Sequence, residues 1–113
     1  MIFQFLTMEI REARAHAAAG GQALHMMTGT WARGWGGPPC FRKAKDFAHL
    51  FDQDHDRLVA TARRLGVKRI VVSKPGTINQ HVDLCGTPLE RAKAIAVASW
   101  RLPVARATER SST

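Results

Sequence analysis

The chain has 113 residues, a length that suits one domain with its own hydrophobic core and excludes a second. Hydrophobic residues make up 45% and charged residues 23%, which is ordinary for a globular protein and excludes general disorder. Seventeen lysines and arginines against nine acidic residues give a formal charge of +8. Such a charge favours contact with nucleic acid or another polyanion, although solvated arginines alone would also produce it.

The cysteines and the apolar pattern predict a cytoplasmic protein. Cys40 and Cys85 are too few for a disulfide scaffold, and neither belongs to a C-x-x-C pair of a zinc knuckle or redox site. We therefore expect reduced thiols. No run approaches the ~18 to 20 apolar residues of a membrane span, and the N-terminus lacks the basic head and long apolar middle of a secretory signal. We expect no membrane partner.

The first third of the chain predicts a helix, a strand and a long loop. Residues 3–19 show helical spacing of apolar side chains before Gly20 and Gly21 end the run. This N-terminal helical extension, residues 1–21, either docks on the core or is loosely attached to it. Residues 24–30 can form a first strand. Residues 31–39 are rich in glycine and proline, which predicts a shaped loop whose Trp31 and Trp35 need burial or a partner.

The middle of the chain predicts a strand, a helix and a second strand. Residues 45–51 alternate so that Phe47, His49 and Phe51 share one face of a strand. The acidic residues 52–56 supply an N-cap and a negative first turn for a helix through Leu65, which Gly66 ends. Residues 67–73 are β-branched at their centre and form the strongest predicted strand.

The last third predicts one more strand and one more helix. Residues 80–85 alternate with His81, Asp83 and Cys85 on one face, and residues 87–100 begin with the capping pattern of a helix. The tail, residues 103–113, is small and polar. The expected fold is α/β (α+β): one domain over residues 22–102, with a small sheet of three or four strands and two packed helices, plus the extension and the tail.

Two histidine and aspartate pairs point to one polar site. His49 lies near Asp52, and His81 lies near Asp83. A compact fold could bring these four candidate catalytic residues together for acid/base work on a phosphodiester or glycosidic substrate, because histidine titrates near neutral pH and a carboxylate can orient it. Alternatively, each pair is a structural hydrogen bond or a helix cap. The same residues are an acceptable metal set, but their spacing matches no known ligand string, so no metal ligand is assigned and the cofactor is unknown.

Basic residues form two groups that could contact phosphates. Positive charge beside exposed aromatics is typical of single-stranded nucleic-acid platforms, although buried structural tryptophans explain the same pattern. Lys74 or Arg69 could also hold an anion beside the histidines. The candidate nucleic-acid-binding residues are Arg33, Trp35, Arg42, Lys43, Arg63, Arg64, Lys68, Arg69 and Lys74.

From about residue 26 to residue 98 the chain resembles a bacterial and phage family catalogued as domain of unknown function 4031. The matching features are the His49-Leu50 strand end, Asp52, the helix end and turn at residues 61–69, the His81-x-Asp83-Leu84 strand, and the helix at residues 91–96. The resemblance implies an α/β fold and points to these positions as shared with the family, but it implies no activity. This chain begins about 25 residues earlier than the family pattern, and its segments at residues 31–39 and 74–79 are locally elaborated.

Three classes of function remain open from the sequence. The leading expectation is a cytoplasmic protein that binds or acts on nucleic acid through a basic surface. The alternatives are a small hydrolase-like enzyme or metal-binding protein with a His/Asp site, and a phage-type interaction module whose tryptophans grip a protein partner or a second copy of the chain.

Overall fold

A computed structural model describes residues 1–28 and 46–102 of the chain. Within these residues there are five strands: β1 (Ile2–Phe5), β2 (Gln22–Thr28), β3 (Asp46–Phe51), β4 (His81–Leu84) and β5 (Val97–Ala98). The same described residues contain three α-helices: α1 (Ile10–Ala18), α2 (His55–Arg64) and α3 (Gly86–Ile95). Short 3-10 turns cover Thr7–Glu9 and Ser99–Arg101. The predicted tryptophan loop and C-terminal tail lie outside the described residues.

The strands form one mixed sheet in the order β4-β3-β2-β1-β5. β1 runs parallel to both of its neighbours, whereas β2, β3 and β4 pair antiparallel. The α and β composition predicted from the sequence is thus confirmed, but the sheet has five strands instead of three or four. None of the helices in residues 1–28 and 46–102 is long and apolar enough to cross a membrane.

Alternation along the strands divides the core into two layers. One face of the sheet packs against α2 and α3 mainly through apolar side chains, with the buried Gln22 among them. Its buried members are Ile2, Leu24, Met26, Ala48, Leu50, Val82 and Leu84 from the sheet, with Leu58, Ala62, Leu65, Leu89 and Ala92 from the helical side. The opposite face packs under α1 through Phe5, Ala13, Ala17, Ala23 and Phe51. The site described below lies on this second face.

The predicted helix after β3 is confirmed as α2. Asp54 caps it, because its side chain accepts a 3.1 Å hydrogen bond from the backbone N–H of Arg57. Leu58 and Ala62 of α2, and Leu65 directly after it, are buried in the core. Gly66 follows with φ of +96°, a conformation that favours glycine and ends the helix as expected.

The N-terminal helical extension is a wrong prediction for its first residues. Residues 2–5 form β1, which lies between β2 and β5, and Ile2 and Phe5 are buried. The helix begins only at Ile10. Residues 1–21 therefore supply β1 to the interior of the sheet and α1 to the layer that packs on it.

The predicted strand at residues 67–73 is also wrong. Only Ser73 pairs, through an isolated bridge to His81, and the rest is irregular. Val67, Ile70 and Val72 instead pack half-buried against the α2 and α3 side of the core. Hydrophobic burial explains their β-branched composition without a place in the sheet.

The last predicted helix is shorter than expected. α3 ends at Ile95, and Val97 and Ala98 pair with β1 as the fifth strand. Cys85, which follows β4, is disulfide-bonded, and this differs from the reduced state predicted from the cysteine count. Cys40 lies outside the described residues.

Candidate active site

Three adjacent strands place one polar residue each in a row across the sheet. His25 of β2 pairs in register with His49 of β3, and His49 pairs with Asp83 of β4. His81, two residues before Asp83 on the same strand face, pairs with Phe51. The sheet register therefore brings together three of the four predicted catalytic residues and adds His25 beside them.

The carboxylate of Asp83 is the centre of this group. Its Oδ1 lies 2.8 Å from Nδ1 of His49 and 3.3 Å from Nε2 of His81. Burial alone would raise the pKa of Asp83, but the hydrogen bonds and charges of the two histidines outweigh burial and hold the pKa well below its ordinary value of 3.8. Asp83 is therefore ionised at neutral pH.

His81 is held by partners at both ring nitrogens. Its Nδ1–H donates a 2.6 Å hydrogen bond to the carbonyl of Asn79, and Nε2 faces Asp83. A carbonyl and a carboxylate both accept hydrogen bonds, so this environment favours the imidazolium. Burial and the charge of Lys74 oppose it, yet the hydrogen bonds with Asp83 and Asn79 raise the pKa of His81 above 6.5.

His49 is oriented by Asp83 and keeps one nitrogen free for chemistry. Because a carboxylate can only accept, Nδ1 of His49 carries the proton, and Nε2 is then the basic nitrogen. Nε2 makes no hydrogen bond with residues 1–28 or 46–102, and the side chain is 21% exposed. Phe47 and Phe51 pack against the ring from either side along β3, with centroids 5.5 and 5.6 Å away. A fixed tautomer with an open Nε2 is the geometry of a general base.

A cleft of about 300 Å³ opens beside His49, between the sheet and the segment that leads into α1. Its lining residues are Thr7, Ile10, Arg14, His25, Met27 and His49. A reactant bound in this cleft would meet the His49 ring directly.

His25 forms the floor of this cleft and is 2% exposed. Its ring stacks on that of His49, with centroids 5.8 Å apart and planes 12° from parallel. Nε2–H donates a 2.9 Å hydrogen bond to the carbonyl of Thr7. Burial is the main effect on its pKa, and with the charges of His49 and Arg14 it keeps the pKa below 6.5 despite the Thr7 contact and Glu9. His25 is thus neutral, with its lone pair on Nδ1.

The same group could also hold a metal ion. One ligand atom from each of His49, His81 and Asp83 lies within 4.8 Å of the others. The hydrogen bond from His81 Nδ1 to a carbonyl is a common outer contact of a metal-binding histidine. A metal would take the place of the N–H groups of His49 and His81 that now face Asp83, so both of these ring nitrogens would have to lose their protons.

Asp52 lies away from this group. Its side chain is fully buried at the junction between β3 and α2 and accepts hydrogen bonds from Gln22, the backbone of Asp54 and the guanidinium of Arg57. Arg57 lies 2.7 Å from Asp52 Oδ1 and also donates to the carbonyl of Gly20. With every lone pair directed at a donor, Asp52 joins elements of the fold.

Among residues 46–102, none of the candidate basic residues lines the cleft beside His49. Arg63 and Lys68 line a groove on the α2 side, on the sheet face opposite His49. Arg64 and Arg69 are exposed, and Arg64 lines a different cleft, together with Arg91 of α3. Lys74 is exposed and close enough to His81 for its charge to act on that ring. The other candidates, Arg33, Trp35, Arg42 and Lys43, lie outside the described residues.

Two residues of the site escaped the sequence analysis, His25 and Arg14. His25 interrupts an otherwise apolar strand between Leu24 and Met26, so a polar side chain facing away from the main core was a usable signal. Arg14 carried no signal, because one arginine on a helix resembles any solvated charge.

Comparisons with known proteins give no information about the function of the site. No protein-family model, curated protein or solved structure matches the chain. The resemblance to domain of unknown function 4031 accordingly stays an expectation from the sequence.

Proposed function

We propose that the protein is a small hydrolase-like enzyme that cleaves phosphodiester bonds of nucleic acid by acid/base catalysis. The observation that carries the proposal is the convergence of His49 and His81 on Asp83, with His49 also lining a cleft. An isolated structural hydrogen bond would need neither a second histidine nor a cleft beside the His49 ring.

The proposed reaction uses His49 as base and then as acid. Nε2 removes a proton from water, and the resulting hydroxide attacks phosphorus. The bond between phosphorus and the leaving sugar oxygen breaks, and the imidazolium returns its proton to that oxygen, so atoms and charge balance. Asp83 holds the tautomer of His49 and stabilises the imidazolium, while His81 keeps Asp83 ionised.

Charge supports an anionic substrate for this site. Arg14 lines the cleft, and Lys74 is close enough to His81 for its positive charge to act on that ring. The formal net charge of +8 would draw a polyanion towards the protein from a distance. The basic corner formed by Arg63, Arg64, Lys68 and Arg69 could add contacts outside the site, but it lies on the other sheet face and cannot position the reacting bond.

The test is cleavage of end-labelled single-stranded RNA and DNA by purified wild-type protein and by single variants. His49→Ala and Asp83→Asn should each lower the rate by about 10² or more, since a positioned base contributes ~10²–10⁴. His81→Ala should lower the rate less, because His81 acts through Asp83.

His55→Ala is the matched control. His55 is an exposed histidine at the start of α2 with its own nearby aspartate, Asp56, 3.7 Å away. This variant should cleave as fast as the wild type. Equal rates for His49→Ala and His55→Ala, with both proteins folded by circular dichroism, would refute the proposal and would also expose a contaminating nuclease.

A further inference from the structure

Two residues that line the cleft beside His49 each carry a buried polar atom without a hydrogen-bond partner among the described residues. Nδ1 of His25 and Nε of Arg14 are both buried and make no hydrogen bond with residues 1–28 or 46–102. His25 is 2% exposed, and both residues line the same cleft. Leaving such groups unpaired is costly, so their shared location marks a place where a ligand would be stabilised.

The two atoms specify the chemistry of that ligand. Nε–H of Arg14 is a donor with a positive charge and calls for an anionic acceptor. Nδ1 of His25 is an acceptor, because Nε2–H is engaged with the carbonyl of Thr7. The ligand must therefore present an anionic oxygen and, beside it, a hydroxyl or amine donor.

We propose that this cleft binds the ribose-phosphate unit of RNA, with the phosphate on Arg14 and the 2′-hydroxyl donating to His25. The proposal rests on the proposed function and narrows its substrate from nucleic acid to RNA. DNA offers the same phosphate but lacks the 2′-hydroxyl, so it would leave the buried Nδ1 unpaired. The cleft of about 300 Å³ is at the small end of ligand sites and suits one such unit.

The location agrees with the proposed reaction. His49 belongs to both the cleft and the Asp83 group, and its ring is stacked on His25. A phosphate held by Arg14 would lie in the cleft that His49 also lines. Recognition and chemistry would then share one histidine pair.

Binding can be tested apart from catalysis with two small probes. Uridine 3′-monophosphate carries a phosphate next to a 2′-hydroxyl, 2′-deoxyuridine 3′-monophosphate lacks only that hydroxyl, and neither contains the diester bond to be cleaved. Isothermal titration of the full chain should give an affinity about tenfold or more higher for the ribonucleotide, because the deoxy probe leaves a buried acceptor unpaired.

Two variants identify the groups responsible. Arg14→Gln should weaken both probes by about tenfold, as expected for a lost charge-assisted hydrogen bond. Arg11→Gln is its matched control, since Arg11 is exposed on the same helix and does not line the cleft. His25→Phe should remove the preference for the ribonucleotide. If His25→Phe does not fold, two results still test the inference. They are the affinities of the wild type for the two probes and the comparison of Arg14→Gln with Arg11→Gln.

Each outcome separates this inference from the proposed function. A ribonucleotide preference that disappears in His25→Phe supports the inference even if no cleavage occurs, in which case the proposed function alone fails. Equal affinity for the two probes, or equal weakening by Arg14→Gln and Arg11→Gln, overturns the inference even if His49-dependent cleavage is observed.

Discussion

Substitution by asparagine should reduce mainly the stability of the fold at Asp52 and mainly the cleavage activity at Asp83. In Asp52 both carboxylate oxygens accept two hydrogen bonds: Oδ2 from Gln22 and Arg57, and Oδ1 from Arg57 and the backbone of Asp54, all at 2.7–2.9 Å. Asparagine can present only one oxygen. Whichever position its NH₂ group takes, two donors lose their acceptor and face another donor in a fully buried place.

The expected cost of Asp52→Asn follows from that geometry. Breaking a buried ion pair on one side typically costs about 3–5 kcal/mol, which is a large share of the ~5–15 kcal/mol stability of a small domain. Arg57 remains partly exposed and can be hydrated, so the lower part of this range applies. Loss of the Arg57 fork also frees the carbonyl of Gly20, which lies between α1 and β2.

The assay is urea unfolding followed by far-ultraviolet circular dichroism at pH 7. The midpoint for Asp52→Asn should fall by roughly 1–3 M, given an m-value of about 1–3 kcal/mol/M. Asp56→Asn, at an exposed position two residues into α2, should change the midpoint little. Cleavage per folded molecule should survive in Asp52→Asn and be lost in Asp83→Asn. A stability loss below about 1 kcal/mol for Asp52→Asn would refute the reasoning about its hydrogen bonds.

Three further predictions follow from the described residues. The stability difference between wild type and Asp83→Asn should be largest between about pH 4 and 6.5. The lowered pKa of Asp83 stabilises the fold above pH 3.8, and this contribution is lost as the pH falls. The raised pKa of His81 stabilises the fold below pH 6.5, and this contribution is lost as the pH rises. Thermal unfolding across this range measures it, and a flat difference contradicts it. Gly66→Ala should cost about 1–2 kcal/mol in urea unfolding, because φ is +96° and the new Cβ would lie 2.5 Å from Nη1 of Arg91; an unchanged midpoint contradicts this strain. Cleavage should persist in EDTA, since acid/base groups need no ion; loss restored by Zn²⁺ or Mn²⁺ would instead favour a metal held by His49, His81 and Asp83.

The sequence predicted correctly those helices and strands whose spacing of apolar residues matches the residues that are buried. α2 carries a cap, an apolar stripe and a glycine stop, and β3 alternates cleanly, so both were found from residues alone. β1 was missed because four residues are too few to show a period, and the helix that follows extended the apparent helical pattern backwards. The segment at residues 67–73 was misread because β-branched side chains favour any half-buried extended chain, whether or not a neighbouring strand is there to pair with it.

The site was predictable to the extent that alternation fixes a sheet face, and no further. Alternation places His49 on one face of β3, and His81 with Asp83 on one face of β4, so a contact needed only that the two strands be neighbours. That adjacency depends on non-local pairing, which a single sequence does not encode in any short window. Finding His25 and Arg14 requires more: the register of β2 against β3 for His25, and the docking of α1 over that face for Arg14.

The β1 strand is what joins these parts. Because β1 pairs in parallel with β2, the chain must cross the sheet between them, and α1 is that crossover. The N-terminal segment is therefore required to build the wall of the cleft, and a chain shortened by residues 1–21 should lose nucleotide binding together with its fold.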